Sequence, residues 1–255
     1  MDIEVRLPAG HRLIHFPEID STNAEALRCA AKGERGPIWF WADRQMQGRG
    51  RLGRGWVSEK GNLYATLLIA LAVKPSVAAG LSIVAPLAVL NTFKTYLRPT
   101  SRLELKWPND VLLEGRKAAG ILVETTLQSD LMIFAIGCGL NLQRAPPATR
   151  YGAITLADQG VAVPPGAALE TLAAEIDRLL LQWDAGAGFA ALKVKWMQYA
   201  KGLGRPVSLT TGGETIEGYF EGLGENGSLL LRNQTGMHEF HAGEISFADF
   251  SESSP

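Results

Sequence analysis

Residues 103–141 read LELKWPNDVLLEGRKAAGILVETTLQSDLMIFAIGCGLN, and their pattern decides the fold class. Apolar runs at 103–107, 111–113, 118–126 and 131–138, separated by turn signals, predict a group of neighbouring strands. Glu114-Gly115-Arg116 supplies a tight connection between two of them. Pro108 has no N–H to donate, which places it at a bulge or strand end where nearby polar groups can face a pocket.

Toward the N-terminus, short apolar runs at 13–16, 38–41 and 62–71 predict three more strands. Thr22-Asn23-Ala24-Glu25 has capping-box spacing, Ala24, Leu27, Ala30 and Ala31 recur at helical period, and Gly33 is the stop. Residues 77–96 predict a helix bent at Pro86. This order predicts an α+β fold, a mixed sheet packed with helices. Beyond it, Ala145-Pro146-Pro147 and Pro164-Pro165 bracket an irregular stretch, and 169–183 and 188–200 predict amphipathic helices. After Gly202, strand-like runs at 207–209, 215–220, 228–231 and 237–241 alternate with Gly and Asn turn signals. The expected organisation is a large domain over 1–202 and a small SH3-like β-barrel over 203–255.

Composition narrows the function. The 255 residues carry a formal net charge of −1, so no global field concentrates nucleic acid or acidic membranes, and anion binding must be local. The N-terminus, MDIEVR, lacks a basic-plus-apolar signal, and the apolar stretch 77–90 is interrupted by Ser82 and Pro86 and too short to span a bilayer. Cys29 and Cys138 sit far apart in no metal or redox motif and are expected as core thiols. A cytoplasmic protein without membrane partners is expected.

Chemistry concentrates in a few segments. Gly48-Arg49-Gly50-Arg51-Leu52-Gly53-Arg54-Gly55-Trp56 packs three arginines and four glycines into nine residues. Glycines let backbone amides approach a ligand, and arginine forks suit carboxylate or phosphate. The same composition also describes a basic surface loop or an RGG-like nucleic-acid segment. Lys106-Trp107-Pro108-Asn109-Asp110 crowds an ammonium, an amide and a carboxylate around a fixed backbone, although alone it reads as a turn. Lys117 enters a strand of small residues that would admit a flat ligand, and Gly137-Cys138-Gly139-Leu140-Asn141 closes another strand with glycines and an amide. Ser21-Thr22-Asn23 is first a helix N-cap, whose donors also face outward. His238 and His241 would point to opposite faces of a strand, His11 and His15 lack motif partners, and the six tryptophans are expected mainly in the core.

Taken in order, these segments resemble the catalytic domain of biotin–protein ligases. Gly48–Trp56 is similar to that family's Gly-Arg-Gly-Arg-x-Gly-Arg-x-Trp loop, and Lys106–Asp110 to its Lys-Trp-Pro-Asn-Asp signature. Arg116 through Glu124 resembles its Arg-Lys-x-x-Gly-Ile-Leu-x-Glu strand, and Gly137–Asn141 its glycine-x-glycine-x-asparagine turn. Asn62-Leu63-Tyr64, Ile154-Thr155-Leu156 and Ala242-Gly243-Glu244-Ile245-Ser246 fall at comparable places, whereas Met46-Gln47 departs from the commoner residues before the loop. The resemblance implies that Ser21, Thr22, Asn23 and Gln45 contact biotin's ring, and that Gly48, Arg49, Gly50 and Arg51 close over biotin and its adenylate. It implies Lys117 on the biotin carboxylate and activated phosphate, and Lys106, Asn109, Asp110 and Asn141 at the nucleotide or in catalysis.

The implied reaction joins biotin to ATP as biotinyl-5′-AMP, then to a carrier lysine flanked by methionines. Biotin and ATP are substrates, Mg²⁺ accompanies the phosphates, and no tightly bound prosthetic group is expected. Lys117, Arg51 and Asp110 are the expected catalytic residues, with Asp110 the candidate proton acceptor. About twenty residues precede Ser21, too few for the winged-helix repressor domain of some family members, so no operator binding is expected. The oligomeric state is open, a homodimer through a sheet edge being one arrangement. The rival readings are a lipoate ligase, whose Arg-Arg-x-Ser-Gly-Gly-Gly signature is missing, an octanoyl transferase, which needs a catalytic cysteine, and a nucleic-acid module, which the near-zero charge disfavours.

Overall fold

The computed structural model describes residues 5–146 and 152–247. Pro147, one end of the expected irregular stretch, lies outside the described residues. Seven strands form one mixed sheet: β1 (Arg12–Phe16), β2 (Ile38–Ala42), β3 (Leu63–Leu71), β4 (Leu103–Lys106), β5 (Asp110–Leu113), β6 (Arg116–Gln128) and β7 (Leu131–Leu140). Their order is β1-β2-β3-β7-β6-β5-β4, with β1 parallel to β2 and the other neighbours antiparallel. All four strands expected in 103–138 form. Glu114 and Gly115 join β5 to β6 at φ +50° and +75°, the left-handed pair that a two-residue hairpin turn requires.

Strand β7 is apolar on both faces, so both must be covered. Phe134, Ile136 and Cys138 face the large core, shared with α3 (Leu81–Tyr96) and α4 (Pro165–Trp183). Ile133 and Ala135 face the opposite way, against Ala26 and Ala30 of α1 (Thr22–Ala31). Beyond Ala135 that second face continues with Gly137 and Gly139, which carry no side chains, and there the cover gives way to a cleft.

The helix expected over 77–96 is divided. A short helix α2 (Pro75–Ala78) precedes α3, and the break falls at Ala79–Gly80, while Pro86 lies inside α3. A Cβ on Gly80 would stand 2.7 Å from Trp183 Nε1, so the break seats the tryptophan that ends α4. Residues Pro75–Tyr96 are, by length and composition, apolar enough to cross a membrane; 72% of the stretch's 18-residue apolar window is buried inside the protein, as in a core helix.

After α5 (Phe189–Met197), strands β8 (Pro206–Thr211), β9 (Glu214–Leu223), β10 (Leu229–Asn233), β11 (Gly236–Phe240) and β12 (Glu244–Ser246) form an antiparallel sheet ordered β11-β10-β9-β8-β12. The three-residue β12, too short to stand out by pattern, pairs with β8. No ladder joins β11 to β12 among the described residues, so the unit is an antiparallel sheet rather than a demonstrated closed barrel. Leu209, Phe220, Leu229, Leu231 and Ile245 belong to the same buried cluster as α3 and the main sheet. Trp107 Nε1 also donates to Gly227 O at 3.0 Å. One continuous apolar core therefore fixes the small sheet beside the large one.

Candidate active site

The cleft begins at the N-terminus of α1. Ser21, at φ −157° and ψ 132°, is the cap, and its Oγ accepts the Ala24 N–H at 3.4 Å. The cap thus lies one residue before the Thr22 that the capping-box spacing marks, and the reciprocal half of the box does not form, since Glu25 accepts from Arg28 instead. That releases Thr22 and Asn23 for the sheet. Thr22 N–H donates to Gln45 Oε1 at 2.9 Å, and the Thr22 hydroxyl lies 3.0 Å from the same oxygen. Gln45 Nε2 donates to Ser58 Oγ at 3.0 Å, and Ser58 Oγ donates to Trp56 O, also at 3.0 Å. The Thr66 hydroxyl stands 2.8 Å from Thr22 Oγ1 and 2.7 Å from Asn23 Oδ1, with a single proton for two acceptors. Ser21, Thr22, Asn23, Ser58 and Thr66 are all buried, so this network holds rigid polar groups at the end of the cleft.

Glycines make room for it. A Cβ on Gly137 would fall 2.0 Å from Asn23 Oδ1, so the amide lies directly on the backbone of β7. Gly120 and Gly139 are register partners in β6 and β7, and the Trp56 indole lies across both. A Cβ on Gly120 would meet the ring at 2.7 Å and one on Gly139 at 2.6 Å. Trp56 Nε1 is buried there without a hydrogen-bond partner. At the other end of the loop, Gly48 is packed under Trp56 O and Ser58 Oγ, which a Cβ would approach to 2.4 and 2.6 Å. Leu52, at the tip, adopts φ 56° and is exposed.

Each cation brought by the sequence motifs has a defined partner. Arg49 Nη2 pairs with Glu124 at 3.0 Å, and Asn23 Nδ2 donates to the same carboxylate at 2.9 Å. Lys117 Nζ stands 2.6 Å from Asp110 Oδ1 and 5.1 Å from the Trp56 ring centroid. At that distance the two form an ion pair, in which Asp110 Oδ1 makes a charge contact without an aligned hydrogen bond. Arg54 pairs with Glu244 at 2.5 Å, and buried Lys106 lies 3.7 Å from the same carboxylate. Arg51 Nη1 donates to Gly243 O at 3.1 Å. Burial lowers the Arg51 pKa from its ordinary value, with Asp110 and Glu244 opposing that shift.

Most of the expected site residues converge. Ser21, Thr22, Asn23, Gln45, Arg49, Gly50, Arg51, Lys106, Asn109, Asp110 and Lys117 all line one cleft enclosing about 930 Å³, its open mouth included. Gly48 sits at the loop base. Asn141 is buried behind the cleft, where its Nδ2 donates to Lys117 O at 3.2 Å, so it supports the lysine's backbone. Asn109 similarly clasps β6: its Nδ2 donates to Ile121 O at 2.6 Å and the Ile121 N–H returns to Asn109 O at 3.0 Å. Asn62 accepts three successive N–H groups at 142–144, steadying the turn after β7. Sequence reasoning missed Ser58, Thr66 and the cleft role of Glu124 and Glu244. Glu124 ends a quoted motif, but nothing local links residue 244 to an arginine at 54.

Cys138 faces the helix-side core, where burial pushes its pKa up to about 12, and burial together with Glu25 raises that of Cys29. Neither is a ready thiolate nucleophile. Among the described residues, no three His, Cys, Asp or Glu side chains come together as a metal cage. His238 Nε2 is engaged by Thr235 Oγ1 at 2.8 Å, and His11 and His15 lie against Trp39 and Trp41.

A mixed sheet whose glycine-floored cleft joins a capped helix to an arginine loop defines a class. The model of the biotin/lipoate A/B protein ligase family matches residues 16–141, and that of the biotin protein ligase C-terminal domain matches 202–248. Within that class the chain belongs to the biotin protein ligase family. It is 40% identical over 235 residues to the biotin–[acetyl-CoA-carboxylase] ligase of Paracoccus denitrificans, covering 89% of this chain and 97% of that protein. It is 33% identical to the bifunctional ligase/repressor BirA of Escherichia coli, covering 93% of this chain and 74% of that protein. Among solved structures, it superposes on the Aquifex aeolicus biotin protein ligase in complex with biotin and ATP with a TM-score of 0.76 and 30% identity, over 92% and 97% of the two chains.

Proposed function

We propose that the protein is an ATP-dependent biotin–protein ligase that forms biotinyl-5′-AMP and transfers biotin to a lysine of a carboxylase carrier domain. The observation that carries this reading is the convergence of the ordered motifs on one cleft, in a chain 40% identical to a biotin–[acetyl-CoA-carboxylase] ligase over nearly its whole length. In the first step a biotin carboxylate oxygen attacks the α-phosphorus of ATP. The bond from that phosphorus to the bridging oxygen breaks, and pyrophosphate leaves with the electron pair. In the second, the neutral carrier amine attacks the acyl carbon, AMP leaves, and the amine gives up its proton.

The geometry suggests how residues divide this work. Ser21, Thr22, Asn23 and Gln45 form a rigid polar end suited to a ureido ring, which presents both donors and acceptors. Arg49, Arg51, Lys106 and Lys117 surround the space where carboxylate and phosphate must meet, a preorganised field that offsets their repulsion. Asp110, ion-paired to Lys117, is the candidate acceptor of the carrier's proton. Magnesium belongs to this reading as part of the substrate, MgATP, with phosphate oxygens among its ligands. We further propose a boundary between residues 202 and 203, in line with the family match that begins at 202, and a cytoplasmic setting with no nucleic-acid or membrane partner. Incubation with ATP, Mg²⁺ and either biotin or lipoate, with mass spectrometry of the acyl-adenylate, tests the reading. Biotinyl-adenylate alone is expected; lipoyl-adenylate, or none from folded protein, would overturn it.

A further inference from the structure

Both roots of the arginine loop meet at one hydroxyl. Gly48 and Trp56, which bound the loop, are joined by the Trp56 N–H to Gly48 O at 2.8 Å. Ser58, buried two residues past the loop, receives Gln45 Nε2 and gives its own proton to Trp56 O, each at 3.0 Å. A Cβ on Gly48 would stand 2.4 Å from Trp56 O, 2.6 Å from Ser58 Oγ and 3.1 Å from Gln45 Nε2, so the first root is packed on all three atoms. Chemistry fixes the direction of this chain. Thr22 N–H can only donate, so Gln45 turns Oε1 toward it and Nε2 toward Ser58. Trp56 O can only accept, so it takes the single Ser58 proton. Turning the amide over would set Nε2 against the Thr22 N–H and draw the Ser58 proton to Oε1, leaving Trp56 O without it.

We propose that Ser58 is a positioning residue that ties the seating of the arginine loop to occupancy of the polar end of the cleft. The inference rests on the biotin-ligase reading and deepens it, giving a task to a residue outside the loop and outside the expected site. Gln45 lines the cleft and Ser58 does not, so the serine acts through the amide. A ligand that engages Gln45 narrows the motion of its amide. The amide holds the Ser58 hydroxyl, and the hydroxyl holds Trp56 O. At the end of this chain the Trp56 ring lies across Gly120 and Gly139, and the loop between the two roots carries Arg49 and Arg51 into the cleft. Coupling of this kind is reciprocal, so a seated loop holds biotin more tightly by the same factor. Without the hydroxyl, Gln45 keeps its bond to Thr22 and its place in the cleft, but its side-chain link to Trp56 O is cut.

The test compares the full chain with its Ser58→Ala variant. Calorimetry reads biotin binding, limited proteolysis gives the rate of cleavage within residues 48–56 without biotin and at saturating biotin, and single-turnover kinetics gives adenylate formation at saturation. In the parent, biotin is expected to slow cleavage by about tenfold or more, and exchange of the Trp56 N–H by a similar factor, a reading that needs no substitution. In Ser58→Ala the protection by saturating biotin should fall below about threefold, and adenylate formation should drop by about tenfold. A merely structural hydroxyl would speed cleavage equally with and without biotin, so protection in Ser58→Ala equal to the parent's would overturn the inference. A parent that binds biotin without protecting its loop would overturn the relay and leave the biotin reading standing. A parent that binds lipoate in place of biotin would overturn the biotin reading, and the same comparison made with lipoate then decides the relay.

Discussion

Trp56 lies so close over Gly139 that a Cβ at position 139 would stand 2.6 Å from the indole nitrogen. The contact couples a loop to a strand more than eighty residues away in sequence. It also explains the flat floor of the cleft, because Gly120, the register partner of Gly139, meets the same ring. A residue with any side chain at either glycine must move Trp56, and with it the arginines that precede it. Gly139→Ala is therefore expected to lower adenylate formation by about tenfold or more, through an overpacking cost of about 1–3 kcal/mol. Steady-state kinetics with a protease digest of residues 48–56 checks this: the loop should be cut faster in the variant, while biotin plus ATP protects it in the parent.

Lys117 faces Asp110 at 2.6 Å and is backed by Asn141 at its carbonyl. Loss of one preorganised cation typically costs about 3 kcal/mol, a rate loss of about a hundredfold. Lys117→Ala should show a loss of that order in single-turnover adenylate formation. A loss under about threefold would remove the residue from the reaction.

Glu124 holds both Arg49 and Asn23, one from the loop and one from α1. In Glu124→Gln the charge partner of Arg49 is gone while the shape is retained. The exposed ion pair contributes at most about 1 kcal/mol, so the melting temperature should barely move. Biotin affinity, measured by calorimetry, should fall more than stability does, because two binding groups lose their common anchor.

Asp20 braces the same helix end, taking Arg28 through two contacts of 2.7 and 2.8 Å. The Arg28 guanidinium holds the Asp20 carboxyl at about 2, below its ordinary 3.8, despite an opposing burial effect. A depressed pKa means stability fully present above 3.8 and lost as pH falls toward about 2. The group is partly exposed, so after screening the contribution is less than about 1 kcal/mol. Asp20→Asn should destabilise the protein slightly at pH 7, and the difference in chemical denaturation should shrink as pH drops from 3.8 toward about 2.

Cys138 borders the cleft through its backbone, but its thiol, pushed up to about 12, points into the core. Native protein should resist alkylation at this residue at pH 8, as read by mass spectrometry of the labelled peptide. Cys138→Ala should keep adenylate formation and transfer within about threefold. Loss of all activity in that variant would point to thiol chemistry.

Much of this was legible in local pattern. The strands in 103–138, the helix after Ser21 and the hairpin at Glu114-Gly115 follow from apolar spacing and turn residues acting over a few positions. What failed locally failed for tertiary reasons. The helix divides at Ala79–Gly80, where Trp183 packs against the glycine, a contact that no local pattern announces. Ser21, not Thr22, caps α1, because the Thr22 hydroxyl is drawn toward Gln45 and Thr66.

By itself the sequence determined which groups this protein can bring to a reaction: the arginines of one loop, two lysines, a carboxylate, and glycines spaced two apart on β7. Periodicity also determined that these lie at strand ends and on a helix cap. Only the tertiary structure decided which charges meet. Glu244 reaches Arg54 across 190 positions, and Gly243 tethers Arg51, because apolar residues of the small sheet share one core with α3 and carry those groups into place. Hydrophobic burial is non-directional and acts between segments of any separation, so it sets the partners of polar groups that no local pattern can pair.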